Sequence, residues 1–179
     1  MTNYVLTGAP GAGKTAILRM LEAAGHLVVE EAATDVIALE QALGQPEPWI
    51  PERFVDKILT LQRRRERAAS GSPADVVFFD RSQVCTLALC RFLGQPVTAQ
   101  LAAEVDRVVR SRVYAPTVFF VRTIGFVAAT SARRISFADS LAFEEVHERC
   151  YTELGFWLVD VPAASLAERF EVISRELAR

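Results

Sequence analysis

The stretch Tyr4-Val5-Leu6-Thr7-Gly8-Ala9-Pro10-Gly11-Ala12-Gly13-Lys14-Thr15 decides how this chain is read. A short apolar run suited to a strand enters a glycine-rich turn. Beyond Thr15 the apolar residues Ile17, Leu18 and Leu21 recur at helical spacing. The turn fits the pattern G-x-x-x-x-G-K-[ST]. Glycines let the backbone curl so that its N–H groups converge as an anion nest. A helix starting at the same point adds about half a positive charge at its N-terminus. Lys14 can reach the β- and γ-phosphates of a nucleoside triphosphate, and Thr15 offers a hydroxyl to Mg²⁺. The expected cradle is Gly8, Pro10, Gly11, Ala12, Gly13, Lys14, Thr15 and Ala16. The competing reading is an ordinary Gly-rich strand-to-helix turn.

Outward from this loop, strand and helix patterns alternate. Strands are expected at residues 4–7, 26–30, 75–79, 117–121 and 156–161. Helices are expected at 15–24, 31–43, 51–69, 82–93, 98–112 and 136–154, with a last one opened by Ser165-Leu166-Ala167-Glu168. Pro46, Pro48 and Pro51 mark a loop, and Gly71-Ser72-Pro73 and Gly94-Gln95-Pro96 break helices. Residues 123–136 lack clear periodicity and read as a lid. Apolar strands separated by helices predict a parallel sheet covered on both faces.

Parallel strands share one carboxyl edge with the phosphate loop, so acids at strand ends are site candidates. Val76-Val77-Phe78-Phe79 ends in Asp80-Arg81. Asp80 can meet the Mg²⁺ shell or accept a hydroxyl proton, and Arg81 can hold a phosphate. The alternative, that Asp80 only caps the helix after Ser82, does not explain the arginine. Val28-Val29 ends in Glu30-Glu31, of which Glu31 is the expected site residue; the alternative is a charge complementing the helix dipole. Arg133 and Arg134 in the lid could close over phosphates and stabilise transferring charge. The run Arg63-Arg64-Arg65-Glu66-Arg67 reads as a mostly solvated helix face, with Gln62 the polar residue to watch beside it. His26 and His147 are isolated, which argues against a protein-ligated metal centre.

At 179 residues with 51% apolar content, the chain suits one domain, 1–179, with a full core. Its formal net charge of −2 gives no case for a nucleic-acid or membrane partner. Cys85, Cys90 and Cys150 lack C-x-x-C spacing and read as small buried residues in a reducing, cytoplasmic setting. No apolar run reaches a membrane span, and the first residues lack the pattern of a signal peptide.

Taken together, these segments resemble the short AAA-domain P-loop ATPase/kinase-like family, which is related to the ribosylnicotinamide kinase domain and more distantly to deoxynucleoside and thymidylate kinases. The residues that carry the likeness are Thr7 to Thr15, Val29-Glu30-Glu31-Ala32-Ala33, Phe78-Phe79-Asp80-Arg81-Ser82, Ala132-Arg133-Arg134-Ile135-Ser136, Leu154-Gly155-Phe156 and Asp160-Val161-Pro162. The resemblance implies an α/β P-loop NTPase fold: a three-layer αβα sandwich on a five-stranded parallel sheet, nucleotide-kinase-like, with a lid. It implies that ATP and Mg²⁺ bind. It also implies that Glu31 serves as base for a sugar hydroxyl and that Asp80-Arg81 serve Mg²⁺ and a substrate phosphate. Gln62 would read a nucleobase, and the turn around Pro162 would lie near adenine.

Three functions compete. One is a kinase moving the ATP γ-phosphate to a small nucleoside-like or other hydroxyl metabolite. The second is an ATP-binding switch acting through a protein partner, and the third a ring-forming ATPase. No Asp has Gly three places on, and Asn3 is the sole Asn, so the guanine-reading motifs of GTPase switches are absent. A ring ATPase needs a helical domain beyond the fifth strand. The kinase reading leads, with the acceptor and the oligomeric state open.

Overall fold

The computed structural model describes residues 1–50, 53–124 and 136–178. Five strands form one parallel sheet: β1 (Thr2–Thr7), β2 (Leu27–Val29), β3 (Val76–Asp80), β4 (Thr117–Val121) and β5 (Trp157–Val161), in the order β2-β3-β1-β4-β5. The helices are α1 (Lys14–Ala23), α2 (Ala32–Ala42), α3 (Phe54–Ser70), α4 (Gln83–Phe92), α5 (Ala99–Arg110), α6 (Phe137–Glu153) and α7 (Leu166–Leu177).

Alternation along each strand sorts the core into two halves. Val5, Val77, Phe79 and Val118 face α3 to α6, where Leu59, Val84, Leu101 and Tyr151 meet them. Their sequence neighbours Leu6, Phe78 and Phe119 face the other way, onto Ile17, Leu18 and Leu21 of α1 and Ile173 of α7. The result is the expected α/β three-layer sandwich. A smaller apolar cluster joins α2 to α3 through Val36, Ile37, Phe54 and Ile58.

Most differences from the sequence reading lie at element ends. β2 is three residues long where five were expected; among the described residues it is an edge strand that pairs with β3 alone. Asp80 belongs to β3 itself, and the cap of α4 is Ser82, whose hydroxyl accepts from the Val84 amide. The capping reading of Asp80 is therefore set aside. At the start of α7 the Ser165/Glu168 capping box is formed as expected. The basic run on α3 is less solvated than expected. Glu66 turns inward and takes a bidentate pair from Arg107, while Arg63 and Arg65 pair with Glu104 and Asp35. A period of 3.6 residues cannot keep five consecutive side chains on one solvated face. All three cysteines are buried and free. Among the described residues no helix is long and apolar enough to cross a membrane.

Candidate active site

The phosphate loop is shaped by backbone demands that only glycine meets. Gly8, with φ 127°, passes so close to the end of β4 that a Cβ would stand 2.2 Å from the Val121 carbonyl oxygen. Gly13, with φ 87°, is the N-cap of α1. The Lys14 ammonium turns back into this curl and donates to the carbonyls of Gly8 (3.1 Å) and Ala9 (2.9 Å). Lys14 is only 6% exposed. Burial, reinforced by the nearby Arg81 cation, lowers its pKa to about 8. It is thus still charged at neutral pH, but at a cost that an anion would relieve.

Pairing of β1 with β3 sets Asp80 level with Leu6, immediately before the loop. Arg81 follows in a left-handed conformation (φ 72°), fixed by its amide donating to the Leu6 carbonyl at 3.0 Å. Such backbone is costly for a non-glycine residue and is typical of functional sites. Its effect here is to turn the guanidinium across the carboxyl edge. Arg81 Nε meets Glu31 at 2.5 Å, and Nη1 meets His147 Nε2 at 3.0 Å. Because the guanidinium can only donate and the Phe143 carbonyl can only accept, His147 must be neutral, with its proton on Nδ1 facing Phe143 (2.9 Å). Burial and Arg81 both push its pKa well below the usual histidine value.

Glu31 caps α2 by position and receives a hydrogen bond from the Thr34 hydroxyl (2.9 Å). Burial opposes its ionisation, but Arg81 and Lys14 outweigh that and hold the carboxyl below its ordinary pKa. Behind these groups the Tyr151 hydroxyl bridges Ser82 Oγ (2.6 Å) and Cys85 Sγ (3.1 Å), and Cys85 reaches Thr7 (3.2 Å). This ties α6, α4 and β1 together under the site.

A cavity of about 790 Å³ opens at this edge. Pro10, Gly11, Gly13, Lys14, Thr15, Glu31, Gln62, Asp80 and Arg81 all line it, so residues far apart in sequence share one space. Its other wall is apolar and aromatic, with Trp49, Phe54, Ile58, Phe92 and Phe143. Gln62 stands among them, and its side-chain oxygen accepts from Thr86 (3.3 Å). Three expected cradle residues, and Pro162, do not line the cavity. Gly8 and Ala12 are buried within the loop, Ala16 is one step along α1, and Pro162 sits past β5 with its carbonyl accepting from Arg169 (2.9 Å). Arg133, Arg134 and most of the expected lid fall outside the described residues. His147 and the aromatic wall were missed from sequence. The signal for His147 was its place four residues after Phe143 on one buried face of α6.

The AAA domain family model matches residues 3–169. The chain belongs to the AAA domain family. A Frog virus 3 (isolate Goorha) protein provisionally named a deoxynucleoside kinase is 39% identical over 112 residues. That match covers 61% of this chain and 55% of the viral protein, so this AAA-domain chain spans about half the length of that curated relative. Among solved structures, M. mycoides deoxyadenosine kinase with dCMP and dCDP superposes with a TM-score of 0.66 at 15% identity, covering 99% of this chain and 98% of that one. NadR in complex with NAD and AMP-PNP superposes with a TM-score of 0.71 at 15% identity, covering 99% of this chain and 50% of that one. At such identities these likenesses establish the P-loop kinase fold of the AAA-domain chain, and the chemistry must be argued from its own residues.

Proposed function

We propose that this protein is an ATP- and Mg²⁺-dependent phosphotransferase whose acceptor is a hydroxyl of a nucleoside-like molecule. The observation that carries the reading is the position of Glu31. An acid kept ionised by Arg81 opens into the same cavity as the phosphate-loop lysine, and an aromatic wall faces both. The volume suits a nucleoside beside the end of a triphosphate. The names of the viral relative and of deoxyadenosine kinase, and the NAD and AMP-PNP bound in NadR, point the same way.

In this reading the loop amides and Lys14 hold the ATP phosphates. Glu31 takes the proton from the acceptor hydroxyl as its oxygen bonds to the γ-phosphorus. The bond from that phosphorus to the β,γ-bridging oxygen breaks, and ADP leaves. Thr15 and Asp80 are oxygen donors on the cavity wall beside Lys14, the type of ligand Mg²⁺ takes, and the ion would neutralise phosphate charge. With its oxygen engaged by Thr86, Gln62 presents its NH₂ edge to a base stacked against the aromatic wall. Arg133 and Arg134 would cover the phosphates. The free, buried cysteines suit a reducing, cytoplasmic setting.

The test is ATP turnover with Mg²⁺ against deoxynucleosides, ribonucleosides, nicotinamide riboside and other small alcohols, with mass-spectrometric detection of product. Stimulation by one nucleoside class, with a phosphorylated product, is expected. Slow turnover indifferent to every acceptor would refute the proposal in favour of a switch.

A further inference from the structure

Arg169 on α7 is 3% exposed, yet among the described residues it pairs with no carboxylate. Its three bonds all go to main-chain carbonyls from three separate segments. Nη1 donates to Ala12 in the phosphate loop (2.7 Å), Nη2 to Arg122 just past β4 (2.5 Å) and Nε to Pro162 just past β5 (2.9 Å). The guanidinium lies directly under the loop: a Cβ on Gly13 would meet Nη1 at 2.9 Å. A buried cation without a counter-charge is expensive, and hydrogen bonds to neutral carbonyls offset only part of that cost. The counter-charge is therefore to be sought on the other side of the loop.

The direction of the Ala12 bond matters as much as the charge. In a trans peptide the C=O and the following N–H point opposite ways. Drawing the Ala12 carbonyl toward α7 aims the Gly13 N–H away from α7, and Gly13 lines the cavity.

We infer that Arg169 is a positioning residue for polyphosphate. It fixes the loop in its anion-binding curl and supplies, from behind, a positive charge that a bound triphosphate neutralises. It also joins the loop to the turn after β5, so the two move as one body. The inference rests on the loop Gly8–Thr15 holding a nucleotide's phosphates.

The experiment is calorimetric titration of wild type, R169K and R169M with Mg-ATP and with Mg-tripolyphosphate, alongside thermal melts. R169M should lose at least tenfold affinity for both ligands. R169K keeps the charge without the three-way fork and should bind both at least threefold more tightly than R169M. A merely structural role would weaken the two variants equally. That result, or wild-type affinity in a folded R169M, would overturn the proposal. Should R169M fail to fold, the neutral R169Q takes its place in the same comparison. A wild type that bound neither ligand would sink the phosphate-site reading itself, whereas loss of the variant difference alone would sink only the role of Arg169.

Discussion

Glu31 and Arg81 meet at 2.5 Å on the carboxyl edge of the sheet, one from the end of β2 and the other from the end of β3. The pair holds the carboxyl below its ordinary pKa in a half-buried setting where burial alone would raise it. Glu31→Gln keeps the shape and removes the charge. Its turnover should fall at least about a hundredfold, the low end for loss of a general base. ATP affinity should stay within about threefold. Steady-state kinetics with the best acceptor, set beside calorimetry, checks the split.

The pH dependence of ATP affinity should belong to Lys14. Its protonated form is the one that would hold phosphate, and its pKa of about 8 means that this form is lost as pH rises through that value. Affinity should be level from about pH 6 to 7.5 and then fall by up to about tenfold per pH unit. Because Glu31 titrates below its ordinary range, turnover should show no acid limb above about pH 4.5. Titrations and rate profiles over this range test both limbs.

Lys14 should also burden the fold. Its pKa is near 10.5 in the unfolded chain and about 8 in the folded one, so between those values the unfolded state binds more protons. The penalty stands in full below pH 8 and is relieved as pH rises toward 10.5. It is on the order of 3 kcal/mol, partly offset by the two carbonyl bonds. Lys14→Met should therefore melt no lower than wild type at pH 7, while Mg-ATP affinity drops at least about tenfold. Differential scanning fluorimetry and calorimetry measure the two effects separately.

Gly8→Ala should unfold the loop's base. A Cβ there would overlap the Val121 carbonyl and force φ 127° on an L-residue. A loss of about 3 kcal/mol or more is expected, because the obstacle is backbone and cannot rotate away. Urea unfolding followed by circular dichroism gives the number.

Local signals carried most of the fold. The alternation of Val5 with Leu6, and of Phe78 with Phe79, was enough to assign a sheet buried on both faces. The glycines and Lys14 marked the loop because their physics is local. Asp80, Arg81 and Glu31 were reachable because strand ends in a parallel sheet must share an edge. His147 was not, since its meeting with Arg81 spans 66 residues and depends on how α6 packs on α4. Arg169 was hidden for the same reason, 157 residues from Ala12. Glu66 looked solvated because it sits in a basic run, and only the packing of α3 on α5 turned it inward.

The central position of β1 has a consequence for synthesis. Its two hydrogen-bonded neighbours are β3, beginning at Val76, and β4, beginning at Thr117. A nascent chain leaving the ribosome thus carries β1 unpaired until β3 and β4 have emerged, and the loop after β1 gains its neighbours only then. A nucleotide held as proposed would steady the folded protein, and could do so only once those strands had met.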